Sequence, residues 1–128
     1  MKGVLFYSRL DYDLNKEFAS WIITEFEKNG VEITLVFMED FYAERTLQFK
    51  PDFIINRTRD YNLSILFEFN GIRSFNNSDV TLLGNNKYSC YKFVKDLGIQ
   101  VKEIPIAPGS MELIKKPIAG HGGESITL

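Results

Sequence analysis

The sequence predicts an α/β fold in which helices flank an open, mostly parallel β-sheet. Short continuous apolar runs, such as Val4-Leu5-Phe6-Tyr7, are typical of parallel strands that are buried on both faces. Segments with apolar residues at helical spacing alternate with these runs. A strand, a helix and a second strand in succession almost always form a right-handed unit with parallel strands. We therefore expect a Rossmann-like sheet, to which the last residues add a C-terminal β-hairpin.

Composition limits the classes of function. The chain has 128 residues, of which 45% are hydrophobic, so it can bury a core and is not disordered. A net charge of −2 with interspersed signs argues against nucleic acid and membrane surfaces as partners. One cysteine, Cys90, and one histidine, His121, exclude an internal disulfide and a histidine metal cluster. Without a signal-peptide pattern or a long apolar run, the expected location is cytoplasmic.

The first half of the chain supplies two predicted strands and a long helix. Strand 4–7 ends at Ser8-Arg9, and strand 31–37 follows the helix. The helix comes after Asp11 and Asp13, ends at Asn29-Gly30, and has a predicted apolar face of Leu14, Phe18, Trp21, Ile22 and Phe26. Residues 39–50 lack a clean period and are predicted to form a loop with a short element.

The second half continues the alternation. Predicted strands cover residues 53–56, 72–75 and 100–104, and helices cover 62–70 and a segment capped by Asn85 or Asn86. In the latter helix Cys90 shares a face with Val94 and Leu97, which predicts a buried structural thiol rather than a nucleophile. The predicted domain organisation is 1–104, a linker at 105–112, and 113–128 as the start of a second domain.

Polar residues follow the predicted strands, where ligands of open α/β sheets bind. They are Ser8-Arg9, Glu39-Asp40, Asn56-Arg57-Thr58-Arg59 and Asn76. Arg57 and Arg59 together can bind a carboxylate or a phosphate through paired N–H donors. Alternatively, one of them forms an ion pair with Asp60 or Asp52 and the other is solvated.

A second candidate site is the glycine-rich loop near the C-terminus. Lys116 precedes Gly120, Gly122, Gly123 and Ser125, and such a loop can direct backbone N–H groups and an ammonium at phosphate oxygens. The loop lacks the ending of a Walker motif, and a flexible hairpin turn is the alternative. His121 within it is either a tolerated exposed side chain or a phosphate contact. Lys87 at a helix start is locally unfavourable unless an anion binds there, although a solvated lysine is equally compatible with the pattern.

These features in order resemble the front of an ATP-grasp ligase, nearest to ligases that add glutamate to a ribosomal protein and to glutathione synthetase-like enzymes. The resemblance is strongest from Pro51 to the C-terminus. The matching text is Pro51-Asp52-Phe53-Ile54-Ile55-Asn56-Arg57, Leu66-Phe67-Glu68-Phe69-Asn70-Gly71-Ile72, Phe75-Asn76, Asn86-Lys87, Asp96-Leu97-Gly98-Ile99, Leu113-Ile114-Lys115-Lys116-Pro117 and the loop to Ser125.

The resemblance implies a carboxylate-amine ligase that uses ATP with Mg to make an acyl phosphate. Lys87, Lys116 and the Gly120, Gly122, Gly123 and Ser125 loop would bind the nucleotide, and Arg57, Arg59 and Asn76 would belong to the carboxylate substrate side. No catalytic or metal-binding residue is assigned. The partners would be a nucleotide and a carboxylate substrate.

Two departures from the family pattern bear on activity. No helix fits between the linker and the strand of Lys116, and the family's adenine contacts, magnesium ligands and transfer arginine lie beyond Leu128. We therefore expect a truncated or split protein that is inactive alone. The alternatives are a non-catalytic binding module that oligomerises, for instance as a homodimer, through its C-terminal strand, and a nucleotide or sugar-nucleotide domain using Ser8, Arg9 and Arg57.

Overall fold

A computed structural model describes residues 1–101 of the chain. The chain divides into two compact units, the first covering Met1–Thr81 and the second beginning at Leu82. The strands are β1 (Lys2–Tyr7), β2 (Glu32–Phe37), β3 (Phe53–Asn56) and β4 (Arg73–Phe75). The helices are α1 (Arg9–Leu14), α2 (Lys16–Lys28), α3 (Met38–Glu44), α4 (Tyr61–Phe69), α5 (Ser78–Asn85) and α6 (Lys87–Asp96).

The four strands form one all-parallel sheet in the order β2-β1-β3-β4. This confirms the predicted α/β class with an open Rossmann-like sheet. β1 is central, and its residues Val4 to Phe6 have no exposed surface, while Tyr7 is only 1% exposed. The continuous apolar run is thus explained by burial on both faces, as expected for a central parallel strand.

The two sheet faces have separate cores. Val4, Phe6 and Ile54 point to the side of α3 and α4, where they pack with Phe41 and Phe67. On the opposite face, the cluster comprises Leu5, Tyr7, Ala19, Ile33 and Phe53. Strands β1 and β3 contribute to both clusters, so they hold the two layers of helices to one frame.

The helix predicted after Asp11 and Asp13 corresponds to α2, but α1, which Asn15 separates from α2, was not predicted. The Ser8 hydroxyl accepts the Asp11 N–H and caps α1, so the helical region starts earlier than Asp11 and Asp13 suggested. The apolar face of this region also differs from the predicted one. Leu14 and Trp21 are 76% and 56% exposed, while Ala19 is the buried residue of α2.

The other elements agree with the sequence except at two places, helix α5 and the strand predicted at 100–104. Residues 39–50 were expected to contain a short element, and α3 is that element. Helix α5 was not predicted; the Asn77 side chain caps it by accepting the Val80 N–H at 2.9 Å. Residues 100 and 101 are not in a strand, so the prediction of strand 100–104 is wrong at its start, and its remainder lies outside the described residues.

Helix α6 belongs to the second unit. Asn86 caps it, as predicted, by accepting the Ser89 N–H at 3.0 Å, and Gly98 ends it with a φ of +78°. The predicted burial of Cys90 is wrong, since its side chain is only partly buried and α6 has no buried residue in the described part of the chain. The apolar face that includes Cys90 therefore lies on a helix that has no buried residue among those described.

Several predictions concern residues beyond those the structure describes. They are the linker 105–112, the hairpin 113–128 and the candidate site residues Lys116, Gly120, His121, Gly122, Gly123 and Ser125. Within residues 1–101, no helix has the length and apolar character needed to cross a membrane.

Candidate anion site at the carboxyl edge of the sheet

The loop after β3 is organised by one buried amide. Asn56 is 6% exposed, and its Oδ1 accepts the Thr58 N–H at 2.9 Å and the Thr58 hydroxyl at 2.6 Å. Its Nδ2 donates to the Asp60 carbonyl and to the Ser64 Oγ, both at 2.9 Å. All the hydrogen-bonding capacity of the amide is therefore used, and residues 57–60 are held between β3 and α4. Because Thr58 is buried and bonded to Asn56, the exposed side chains of Arg57 and Arg59 project from a loop whose centre is held in place.

Arg59 is paired with the first turn of α1, directly after β1. Its Nη2 lies 3.4 Å from Oδ1 of Asp11. Asp11 in turn accepts the Ser8 hydroxyl at 2.8 Å and donates its own N–H to the Ser8 Oγ at 3.0 Å. The ion-pair partner of Arg59 is thus Asp11, rather than the Asp60 or Asp52 considered from the sequence.

Arg9 is paired with the first turn of α3, directly after β2. Its Nη2 donates to both carboxylate oxygens of Asp40, at 2.6 and 2.7 Å, and its backbone N–H donates to Glu39 Oε1 at 3.1 Å. Its guanidinium also lies over the Phe37 ring, 4.5 Å from the centroid. The Ser8 and Arg9 side chains, which the nucleotide-domain alternative would use, therefore already have protein partners.

Arg57 differs from the other two arginines at this edge. Its Cζ lies 5.2 Å from the centre of the Phe18 ring, a cation–π arrangement. Phe18 is itself stacked on Trp21, with ring centres 5.6 Å apart. Among residues 1–101 the Arg57 guanidinium forms no ion pair and no side-chain hydrogen bond. Within the described residues, its N–H groups therefore have no side-chain acceptor.

Asn76 and Lys87 complete the predicted residues that the structure describes. Asn76 follows β4 with an exposed side chain, and its carbonyl accepts the Ser74 hydroxyl at 2.9 Å. Lys87 is the first residue of α6 in the second unit, is partly buried, and has an interaction partner. Asn76 thus lies just past the end of a strand and Lys87 at the start of a helix, as the sequence predicted.

Tyr42 is a further titratable side chain near the β3 loop. Its hydroxyl donates to Asp60 Oδ2 at 2.6 Å, while Asp60 Oδ1 accepts the Asn62 N–H and caps α4. Partial burial, and secondly the hydrogen bond to this carboxylate, raise the pKa of Tyr42 above its usual value. Tyr42 is therefore a hydrogen-bond donor to the loop throughout the physiological range.

Sequence reasoning missed two residues of this edge. Asn56 was noted only as the polar end of a strand, although an Asn two residues before a Thr and four before an Asp is a pattern that favours side-chain to backbone turns. Phe18 was assigned to the core face of a helix, and nothing in the sequence indicated that it would support Arg57. Pairing of this kind depends on the tertiary fold.

The acidic residues at this edge do not form a metal centre. Within the described residues, no three His, Cys, Asp or Glu side chains are grouped closely enough to hold a metal ion. Asp11 and Asp40 are each paired with an arginine.

Comparison with known proteins adds one relative. No protein-family model matches the chain. The chain is 29% identical over 133 residues to a Mycoplasma pneumoniae protein named "Uncharacterized protein MG011 homolog". The match covers 99% of this chain and 46% of that protein, so the chain spans about half the length of its relative.

Proposed function

We propose that this chain is the N-terminal part of an ATP-grasp carboxylate-amine ligase, and that the carboxyl edge of its sheet holds the carboxylate substrate. The observation that carries the proposal is Arg57, an exposed guanidinium at the end of a buried strand with no ionic partner among residues 1–101. A bidentate guanidinium is well matched to a planar carboxylate.

The surrounding residues prepare Arg57 for this role. Asn56 fixes the loop from which it projects, and Phe18 supports one face of the guanidinium while leaving its N–H edge free. Asp11 occupies Arg59 and Asp40 occupies Arg9, which leaves a single guanidinium to select the substrate. Arg59 and Asn76 would then line the substrate side without forming the principal ionic contact.

The nucleotide side of the proposal rests on the resemblance. Lys87, Lys116 and the loop with Gly120, Gly122, Gly123 and Ser125 would hold the phosphates through ammonium groups and backbone N–H donors. ATP with Mg, when bound, supplies the phosphoryl group that activates the carboxylate. Ligands for adenine and magnesium would come from a longer polypeptide, so this chain alone is expected to be inactive. The proposed setting is the cytoplasm.

The experiment is an NMR titration of the isotopically labelled chain with glutamate and with acetate. We expect shifts in the backbone amides of residues 57–60, and at least a tenfold loss of affinity in Arg57→Ala, because a charge-assisted hydrogen bond contributes about 1.5–3 kcal/mol. Arg73→Ala is the matched control, since Arg73 is also exposed but opens β4 at the opposite end of the sheet. Equal affinity of the two variants would refute the carboxylate site.

The nucleotide half is tested separately by titration with Mg-ATP. Weak binding that is lost in Lys87→Ala and Lys116→Ala is the expected result. Micromolar affinity dependent on Lys116 would mean a more complete nucleotide site than proposed. Turnover of ATP by this chain alone would contradict the assignment as an inactive part of a ligase.

A non-catalytic interaction module is the second candidate. The observation that favours it is a groove of about 580 Å³ with almost wholly apolar walls on the α2 side of β3 and β4, lined by Ile22, Phe26, Phe53, Ile55 and Phe75 among others. A concave site with mainly apolar walls is typical of surfaces that bind another molecule. A discrete dimer in light scattering that is abolished by deleting residues 125–128 would favour oligomerisation through the C-terminal strand over the ligase proposal.

A further inference from the structure

A second groove, of about 490 Å³, lies on the opposite face of the sheet from the groove just described. Its floor is formed by core side chains of the α3 and α4 layer, including Phe41, Phe67 and Ile72. Leu47 and Phe49, from the segment between α3 and β3, form a wall and are partly buried against the same core. A concave, mainly apolar site of this volume is within the range of small-molecule sites.

The charged residues that line this groove are both cations. Arg45 ends α3 and Lys50 precedes β3, and no acidic residue contributes to the lining. Within residues 1–101, neither side chain forms an ion pair or a hydrogen bond. Two cations without counter-ions beside an apolar floor complement a ligand that is itself apolar at one end and anionic at the other.

An ordinary helix-capping role does not account for these cations. Basic side chains near a helix C-terminus often donate to its last carbonyls. At α4, however, the Leu66 carbonyl accepts Asn70 Nδ2 at 2.8 Å, and at α3 the Phe41 carbonyl accepts the backbone N–H of Arg45 at 2.7 Å. The guanidinium and the ammonium take part in neither contact.

The backbone conformation of Arg45 determines where one of the two cationic side chains leaves the chain beside the groove. Arg45 has a φ of 55°, in the left-handed region that residues other than glycine, asparagine and aspartate seldom adopt. This conformation ends α3 and turns the chain into the segment that carries Leu47 and Phe49 along the wall. The cation and the wall of the groove are therefore set by one turn.

From these observations we propose that this groove binds a small carboxylic acid with an extended apolar body, whose carboxylate lies between Arg45 and Lys50. The apolar body would cover Phe41, Phe67 and Leu47, and this burial supplies the driving force. The two cations give preference for an anion over a neutral or positively charged molecule of the same shape. This site is separate from Arg57 and does not depend on the proposed ligase activity.

The test uses decanoate below its micellar concentration, titrated into the labelled chain and followed by amide shifts at Leu47, Phe49 and Leu66. Arg45→Asn removes the guanidinium but retains a residue that tolerates the left-handed conformation. We expect a several-fold loss of affinity in Arg45→Asn and in Lys50→Gln, and at least a tenfold loss in the double variant. Arg73→Gln, which removes an exposed arginine that does not line this groove, should leave decanoate affinity unchanged.

Two ligand controls separate charge from apolar burial. Decanol should bind at least tenfold more weakly than decanoate, and decyltrimethylammonium should bind more weakly than decanol, because both cations of the groove repel it. Equal binding of decanoate and decanol, or an unchanged affinity in the double variant, would overturn the proposal. Shifts confined to Ile22, Phe53 and Phe75 would overturn it as well, because they would place the ligand in the other groove. Should Arg45→Asn unfold, Lys50→Gln decides alone.

Discussion

Replacing Asn56 by alanine tests whether one buried amide organises the carboxyl edge. The substitution removes two acceptor and two donor contacts, made to Thr58, Asp60 and Ser64. Two of the partners keep other bonds: the Ser64 Oγ still accepts from Ser74, and the Thr58 Oγ1 still accepts the Asp60 N–H. The Thr58 N–H, on a residue only 6% exposed, loses its acceptor, and the Asp60 carbonyl loses its donor.

The magnitude follows from this inventory. A buried donor without a partner costs about 1–3 kcal/mol, and a carbonyl at a partly exposed position costs less because water can reach it. With some lost packing, we expect Asn56→Ala to lower the free energy of unfolding by about 3 kcal/mol. For a unit of this size, that corresponds to a fall in melting temperature of roughly 12–24 °C.

The assay is urea unfolding followed by the fluorescence of Trp21, the single tryptophan of the chain, which lies in the first unit. Asn62→Ala is the matched control, because this exposed asparagine donates only an exposed side-chain bond to Asp60 at 3.0 Å. The control should change stability by less than about 0.5 kcal/mol. A loss below about 1 kcal/mol in Asn56→Ala would refute the view that this amide holds the loop.

Three further predictions concern other parts of the described chain. Gly3→Ala should destabilise by about 1–3 kcal/mol in urea unfolding, because the added Cβ would lie 2.5 Å from a core phenylalanine ring. Gly84→Ala should instead stabilise α5 by about 0.5–1 kcal/mol, because among the described residues nothing beyond its chain neighbours and its own helix backbone lies within 4 Å of the added Cβ. The same sign for both would contradict the packing argument. The raised pKa of Tyr42 means that folding favours the protonated phenol. The contribution of Tyr42 to the free energy of unfolding is therefore present below the unfolded pKa of about 10 and is lost as pH rises above it. The wild type should lose stability above that pH more steeply than Tyr42→Phe, and parallel pH profiles would refute the Asp60 bond. Arg57→Ala should change the free energy of unfolding by no more than about 1 kcal/mol, the value of an exposed cation–π contact, and a larger loss would assign Arg57 to structure instead of ligand binding.

The fold was predictable where burial is two-sided. β1 and β3 are read directly from continuous apolar runs, because the side chains of residues 4–7 and 53–55 alternate between the two core clusters. Helices were less predictable, since period alone did not show the break at Asn15. A polar residue in a helical pattern is compatible with both a continuous helix and a boundary, and the Ser8 cap decides between them only once the chain is folded.

Helix α5 shows a different limit. Asn77 comes shortly after the predicted strand 72–75, where no helix was predicted, and the structure uses it as a helix cap. Its helix is further anchored by Glu68, which accepts the Ser78 N–H at 2.9 Å and the Ser78 hydroxyl at 2.6 Å. Both interpretations of an Asn-Ser-Asp stretch satisfy local preferences. The contact from α4 selects the helix, and no local pattern contains that information.

The candidate site divides in the same way. Its location followed from topology, because parallel strands bring their carboxyl ends to one edge. Which arginine is available did not follow, since Arg57 and Arg59 are equivalent by sequence position. Their difference comes from Asp11, 48 residues from Arg59 along the chain, and from Phe18, which leaves Arg57 a ring in place of a carboxylate. An aromatic partner supports the guanidinium of Arg57 without accepting from its N–H groups, whereas the Asp11 carboxylate accepts from Arg59.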